Sequence, residues 1–281
     1  MSDNVNQMHL DLPHDVVLLP SEGKFYKNKK KSVKVGYLTA ADENILASVS
    51  NLSGDQIITN LVRSKLYEPD IRPEEMLEGD LEAILVFLRN TSFGASYDFS
   101  LTDPETDRKF EHSILLDELN FKKTDAEPNS EGLISLVLPK TNKEIKIKFL
   151  TYGESQSISR QIEAYPKGMV SPSVTLKLTK QIVEVEGNRE VNAITDFISK
   201  MPIMDSKYIN NFIRENEPRL DLMREITAPS GKKVLTRVTF GAEFFRPFFW
   251  VFKKFIGPIL SIRFKNKFVL FRFHENAILS S

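Results

Sequence analysis

Residues 80–116 read DLEAILVFLRNTSFGASYDFSLTDPETDRKFEHSILL, and the hydrophobic period changes within this stretch. In the first half, apolar residues recur three or four apart, the spacing of one helical face: Leu81, Ile84, Leu85 and Leu88. In the second half they alternate instead: Tyr97, Phe99 and Leu101. Residues 103–107 are turn-forming, and residues 110–116 return as a strand. The stretch predicts a helix followed by a β-ribbon with a long polar tip.

On the N-terminal side, the apolar run Val16–Leu19, the turn at residues 20–23 and the alternation of residues 33–37 predict a hairpin. Thr39 with Asp42 is typical of a capping box for a helix that buries apolar residues between 45 and 49. A second helix should follow Gly54, with one face formed by Ile57, Ile58, Leu61 and Val62. Asp80 is predicted to cap the third helix.

On the C-terminal side, residues 125–132 are typical of a linker or exposed loop. A hairpin is predicted from Leu133–Leu138 and Glu144–Leu150, with Ile145, Ile147 and Phe149 facing the core. Helical spacing returns at residues 191–201 and again after Asp205, which is predicted to cap its helix. A second ribbon follows at residues 222–240.

Helices and strands do not alternate regularly in this order, so the expected fold class is α+β, with β-hairpins and ribbons and an aromatic C-terminal extension. We expect three regions. Residues 1–124 carry the first hairpin, helices and first ribbon. Residues 125–247 carry the second hairpin, helices and second ribbon, and residues 248–281 form the extension.

Composition narrows the classes of function. The 281 residues are 41% hydrophobic and 27% charged, as in ordinary globular proteins, and the formal net charge is zero, which does not suggest a nucleic-acid partner. There is no cysteine, so disulfides, thiolate zinc sites and cysteine nucleophiles are excluded. The polar N-terminus does not have the pattern of a signal peptide, and no apolar run is long enough to span a bilayer. A soluble intracellular product is expected.

The C-terminal extension differs from the rest of the chain. Eleven of the 20 phenylalanines and the only tryptophan lie from Phe240 onward, and residues 246–281 carry seven basic residues and one acid. Three uses remain open: packing on the protein's own core, insertion into a partner protein, or contact with a membrane surface such as the host inner membrane. The candidate partner-binding residues are Phe248, Phe249, Trp250, Phe252 and Phe255.

No reacting group emerges from the sequence, so an enzyme is not expected. The four histidines are scattered, the glycines are isolated, and no serine has a nucleophile-elbow pattern. Five acids between Glu74 and Glu82 lie at predicted helix starts, where a solvated role beside the helix dipole is expected rather than a cation site. The lysines of residues 27–31 are interpreted as a solvated hairpin tip rather than a phosphate-binding run. No cofactor and no small-molecule substrate are expected.

Several short patterns occur in one order along the chain. They are Leu19-Pro20-Ser21-x-Gly23-x-x-Tyr26, Val33-x-Val35, Leu38-Thr39-Ala40-x-x-Glu43-x-Ile45-Leu46, Gly79-Asp80, Leu88-Arg89, Phe93-Gly94-x-x-Tyr97, Ile182-x-x-Val185-x-Gly187, Phe197-Ile198-x-x-Met201-Pro202, Asp205-Ser206, Glu217-Pro218-x-Leu220-Asp221 and Phe240-Gly241-Ala242-Glu243-Phe244-Phe245-x-Pro247. Because these patterns occur together and in this order, the chain resembles the baseplate hub assembly protein family of T-even-type contractile-tailed phages over residues 16–247.

The resemblance implies a non-enzymatic factor in phage tail morphogenesis, acting as a chaperone or as a minor structural component of the baseplate hub. Its partners would be other tail and baseplate hub proteins. It would be found in the host cytoplasm during assembly, and in the virion tail if retained. A peripheral membrane protein that uses the basic aromatic extension is the alternative.

The chain departs from the family pattern in two ways. Family members often carry Cys-x-x-Cys-like pairs at the ribbon tips, forming knuckles that look zinc-bound. Here the tips, residues 102–107 and 227–231, contain no cysteine, so zinc is not expected and turn chemistry should hold both ribbons. The extension after Pro247 lies beyond the resemblance, so nothing is transferred to it.

Overall fold

The first element of the described residues is a β-hairpin, as the alternation of residues 33–37 predicts. In this computed structural model, which describes residues 13–47, 54–122, 124–166, 169–238 and 242–245, β1 (His14–Leu18) pairs antiparallel with β2 (Ser32–Gly36). Val33 and Val35 point into the core. The connection between the strands does not project freely, because backbone hydrogen bonds fold residues 19–31 into successive turns.

Three helices follow: α1 (Ala40–Ala47), α2 (Gly54–Lys65) and α3 (Glu78–Phe93), with a short 3₁₀ turn (Pro73–Glu75) before α3. Half of the predicted capping box is present at the start of α1, since the Asp42 carboxylate accepts a 2.7 Å hydrogen bond from the Thr39 backbone amide. The Thr39 hydroxyl also donates to that carboxylate, at 2.7 Å, and the Asp42 amide bonds to the Thr39 carbonyl oxygen. Asp42 also forms a buried ion pair with Lys65, which ties α1 to the end of α2.

The first ribbon consists of β3 (Ser96–Thr102) and β4 (Lys109–Leu115), paired antiparallel over seven residues each. Along both strands, half-buried side chains alternate with exposed ones, which places Tyr97, Phe99 and Leu101 on one face. After the ribbon come a 3₁₀ turn (Leu116–Glu118) and β5 (Phe121–Lys122). The period change within residues 80–116 therefore marks the helix-to-ribbon transition correctly.

The middle of the chain forms a three-stranded antiparallel sheet with four helices. Its strands are β6 (Ile134–Val137), β7 (Glu144–Ile147) and β8 (Ile182–Val185), in the order β6-β7-β8. The helices are α4 (Tyr152–Glu163), α5 (Ser173–Gln181), α6 (Val191–Ser199) and α7 (Ile203–Asn216). The side chains of Ile145, Ile147 and Phe149 are buried, as predicted.

The end of the described chain returns to the N-terminal elements. β9 (Arg219–Leu220) pairs with β5, and the second ribbon is formed by β10 (Met223–Thr227) and β11 (Lys233–Arg237). A 3₁₀ turn (Ala242–Phe245) then buries Phe244 and Phe245. These late residues lie in the same hydrophobic cluster as the first hairpin, α2 and α3.

Two hydrophobic clusters form the core. One joins the hairpin, α2 and α3 to Leu220, Leu222, Val238 and the Phe244–Phe245 pair. The other joins the three-stranded sheet to α5, α6 and α7. Backbone contacts group the described residues into one compact unit, which lies within Met1–Pro247. A division of this unit near residue 124 stays a prediction.

The α+β fold class is confirmed, and three details of the prediction from sequence need correction. Helices α4 and α5 and strand β8 were not predicted. Asp80 and Asp205 cap nothing, because the N-cap positions of α3 and α7 are Leu77 and Pro202. Residues 125–132 are more than an exposed linker, since Ala126 is buried and Gly132 lies against the backbone of Phe25.

Candidate interaction surfaces

Asp80 binds the loop between β1 and β2 to the start of α3. Its carboxylate accepts a 2.9 Å hydrogen bond from the Ser21 amide and a 2.5 Å hydrogen bond from the Tyr26 hydroxyl. The Tyr26 oxygen in turn accepts from the Leu77 amide, at 2.8 Å. Burial raises the pKa of Asp80, although the bonds from Ser21 and Tyr26 oppose that effect. Both carboxylate oxygens are satisfied, so this buried acid acts as a structural junction.

The neighbouring residue, Gly79, allows α3 to approach the strand that follows α7. A Cβ atom added at Gly79 would lie 2.2 Å from the Pro218 carbonyl oxygen and 2.4 Å from the Arg219 Cα atom. Any side chain would therefore separate the two segments. The Gly79-Asp80 and Glu217-Pro218 patterns thus meet in space.

Arg89 fastens the end of the described chain to the base of the first ribbon. It is buried, and its guanidinium donates to three carbonyl oxygens: to Phe244 at 3.0 Å, Gly94 at 2.7 Å and Ser96 at 3.0 Å. Its charge also lies over the Phe93 ring, 5.2 Å from the centroid. Burial lowers the pKa of Arg89, against the influence of Tyr97 and Asp98. The Leu88-Arg89, Phe93-Gly94 and Phe244-Phe245 patterns thus form one contact.

Asp205 repeats the arrangement seen at Asp80 on the other core cluster. It is fully buried in the first turn of α7, and its two oxygens accept from the amides of Lys140, at 2.7 Å, and Thr141, at 3.1 Å. These amides belong to the loop that joins β6 to β7. The carboxylate therefore holds a hairpin loop rather than its own helix end.

The tips of the two ribbons contact each other through Asp103. Its carboxylate accepts from the Ser230 hydroxyl at 2.7 Å, the Ser230 amide at 3.0 Å and the Glu105 amide at 2.9 Å. Burial acts to raise the pKa of Asp103, but these hydrogen bonds outweigh it and the net shift is downward. The turn chemistry expected at the two tips therefore centres on one residue. The Asp103 carboxylate stabilises its own turn and also links one tip to the other.

Two groups of exposed apolar side chains lie among the helices of residues 152–216. The first turn of α7 presents Ile203, which is 73% exposed, and Met204, which is 60% exposed; Tyr208 follows one turn later. We call these three residues the α7 patch. The connection between α4 and α5 presents Tyr165, Met169 and Val170. Clustered exposed apolar side chains are typical of protein interaction sites.

The acids between residues 74 and 82 were interpreted as solvated, and for two of them this is wrong. Asp80 and Glu82 are buried.

Within the described residues, no group of three or more histidine, cysteine or acidic side chains could hold a metal ion. In that same part of the chain, no helix combines the length and apolarity needed to cross a membrane.

Most of the lysines in residues 27–31 are solvated, as predicted. Lys27, Lys29 and Lys31 are exposed, and Lys30 lies 3.5 Å from Glu68. The candidate partner-binding residues Phe248, Phe249, Trp250, Phe252 and Phe255 lie outside the described residues, so their role stays a prediction.

Comparison with known proteins supports the sequence resemblance. The family model described as T4 bacteriophage base plate protein matches residues 15–246. That span includes the junctions at Asp80, Arg89, Asp103 and Asp205. No curated protein matches the chain, and no solved structure does. With more than half of its length matched by that model, the chain belongs to the T4 bacteriophage base plate protein family.

Proposed function

We propose that this chain is a hub assembly protein of the phage tail baseplate, and that it works by binding other baseplate subunits without catalysing a reaction. It acts as a chaperone of hub assembly in the host cytoplasm or as a minor component retained in the virion tail. Family membership supports the baseplate assignment. The hub role rests on the ordered sequence patterns.

The observation that supports the proposal is that the polar side chains of the junctions bond groups inside the protein. Asp80, Arg89 and Asp205 are buried, and their hydrogen bonds go to groups of their own chain: backbone groups for Arg89 and Asp205, and a backbone amide and the Tyr26 hydroxyl for Asp80. Such residues hold a shape and leave no reacting atom for a substrate. Ile203 and Met204 of the α7 patch, in contrast, present most of their apolar surface to solvent. Binding surfaces on a stiff scaffold are what an assembly protein requires.

Purification from infected cells tests the proposal. The tagged chain should co-purify with hub or tail proteins, and the double variant Ile203→Glu with Met204→Glu should lose that association, because it places charge on the α7 patch. Lys109→Glu, at an exposed position on β4, is the control for a charge change away from the α7 patch. Absence of every tail component from lysates and purified particles would contradict the proposal.

Mass spectrometry of purified virions separates the two forms of the role. A retained structural component appears in finished particles at a fixed ratio to other baseplate proteins. A chaperone appears in lysates with assembly intermediates and is absent from finished particles.

A peripheral membrane role is the second candidate, and the charge of the C-terminal extension favours it. Residues 246–281 carry seven basic residues and one acid among many aromatic residues, a composition suited to an anionic membrane surface. Flotation with anionic liposomes tests this candidate. The wild-type chain should float, and Lys253→Glu with Lys254→Glu should float less. If both remain in the soluble fraction, the candidate is wrong.

A further inference from the structure

A second buried acid on α3 lies at a cavity rather than at a junction. The cavity has a volume of about 280 Å³ and lies between α2, α3, α4 and the residues that flank the second ribbon. Leu81, Leu85 and Leu222 supply apolar wall, and Glu78, Glu82 and Arg237 supply the charged groups. Sites for drug-sized ligands usually range from about 300 to 1,000 Å³, so this cavity suits one side chain.

Glu82 is the unsatisfied group in this cavity. It is 8% exposed, and its Oε2 atom has no hydrogen-bond partner in the described structure. Its Oε1 atom lies 3.5 Å from a guanidinium nitrogen of Arg237, whose side chain is 47% exposed. A buried acceptor without a donor is unfavourable, so native proteins rarely keep one without a further partner.

The surrounding charges do not compensate Glu82. Glu78 lies one turn earlier on α3 and adds negative charge, while Arg219 and Arg237 add positive charge. Arg219 is already paired with Glu217 and lies 3.8 Å from Glu78. The two residues of α4 at the cavity, Tyr152 and Gln156, contribute no formal charge. Burial outweighs the two arginines and the backbone amide of Leu220, which act to lower the pKa, and the pKa of Glu82 is raised to about 7.

We propose that this cavity binds the cationic side chain of a lysine or arginine from another protein, with Glu82 and Glu78 accepting its N–H groups and Leu81, Leu85 and Leu222 covering its methylene stem. The added donor would satisfy Glu82 Oε2, and the added charge would balance the two acids. A basic side chain fits because both its apolar stem and its charged end find complementary groups.

Binding of n-butylguanidinium chloride and n-butylammonium chloride to the full-length protein tests this assignment. The readout is the carboxyl ¹³C signal of Glu82 in protein labelled at glutamate. A saturable change in that signal is expected, together with a lower pKa of Glu82. Tetramethylammonium chloride at the same concentration controls for ionic strength, because it carries charge but no N–H donor. An equal response to all three salts would overturn the proposal.

Two variants complete the test. Glu82→Gln keeps the shape of the side chain, and its affinity for n-butylguanidinium, followed through the amide signals of the cavity residues, should fall at least about tenfold, the loss expected for one charge-assisted hydrogen bond. Arg237→Gln removes the cation that competes for Glu82, so n-butylguanidinium should bind it more tightly. Unchanged affinity in Glu82→Gln, or weaker binding to Arg237→Gln, would contradict the proposal. Glu111→Gln, at an exposed position on β4, is the matched control.

Discussion

Asp80 and Glu82 lie two residues apart on α3, and both are buried, yet their surroundings differ. Asp80 faces the β1–β2 loop, where a backbone amide and a tyrosine hydroxyl satisfy its two oxygens. Glu82 faces a cavity, where one oxygen has no partner. Residues at this separation point to nearly opposite sides of a helix. Burial alone therefore does not distinguish an acid that stabilises the fold from one that is available to a ligand. The number of hydrogen-bond donors around the carboxylate makes that distinction.

Asp80→Ala should have the largest effect, because it removes the acceptor and leaves the Ser21 amide and the Tyr26 hydroxyl without it in a buried setting. We expect a loss of about 3–5 kcal/mol in the free energy of unfolding, given a cost of about 1–3 kcal/mol for each unsatisfied group. Denaturant unfolding measures it. Asp98→Ala, at an exposed position on β3, is the control, and equal losses in the two variants would show that Asp80 is not a junction.

Arg89→Met extends the comparison to buried cations. The methionine retains apolar packing but leaves three carbonyl oxygens without their donor, so a loss of about 3 kcal/mol is expected. Arg237→Met should cost less, about 1 kcal/mol, because that arginine is half-exposed and its contact with the buried Glu82 is long, at 3.5 Å. Thermal unfolding of both variants provides the measurement. A larger loss at Arg237 than at Arg89 would reverse the assignment of the two roles.

Glu82→Gln should alter how stability depends on pH. The folded-state pKa of Glu82 is about 7, above its ordinary value of 4.5, so the folded protein holds this proton more tightly than the unfolded chain. The stabilising contribution is complete below about pH 4.5 and is lost as pH rises to about 7. Each pKa unit corresponds to about 1.4 kcal/mol. The wild type should therefore lose about 2–3 kcal/mol relative to the variant between pH 4.5 and pH 8.

Chemical denaturation at a series of pH values measures this difference. Comparison with the variant cancels the contributions of the other buried acids, including Asp80 and Glu217. Parallel stability profiles for wild type and variant would show that burial does not raise the pKa of Glu82.

Ser230→Ala should have the smallest effect and concerns the link between the ribbon tips. It removes the hydroxyl that donates to Asp103 but leaves the backbone amide bond in place. We expect hydrogen exchange at the Ser230 and Glu105 amides to become several-fold faster, with little change in global stability. Ser113→Ala removes a hydrogen bond within the first ribbon instead. Unaltered exchange at both tips would show that the hydroxyl does not hold them together.

Local pattern was enough to predict the ribbons and most core positions. The alternation around Tyr97 and Ile145 and the helical spacing around Leu81 are set by neighbours a few residues away, and the structure confirms them. The capping residues Thr151 and Glu154, which form a complete capping box at the start of α4, were a usable signal for the helix that was missed. Strand β8 follows directly after α5 and is only four residues long. It is therefore too short for its alternation of apolar and polar residues to be recognised.

The junction residues were visible in the sequence, but their partners were not. Asp80 and Asp205 stand near helix starts, where capping is the usual role, yet their acceptor bonds reach residues 59 and 65 positions away. Likewise, nothing near Asp103 in the chain indicates Ser230, which lies 127 residues later.

The hairpins and ribbons, the two periods, the absence of cysteine and the charged aromatic extension follow from the amino-acid sequence alone, because each depends on residue type and near neighbours. Which buried acids are satisfied, which ribbon tip meets which, and where a cavity remains were settled only by the tertiary structure. Hydrogen bonding and desolvation depend on the atoms that surround a group in space. For Asp80 and Glu82, those atoms come from segments far apart in the chain.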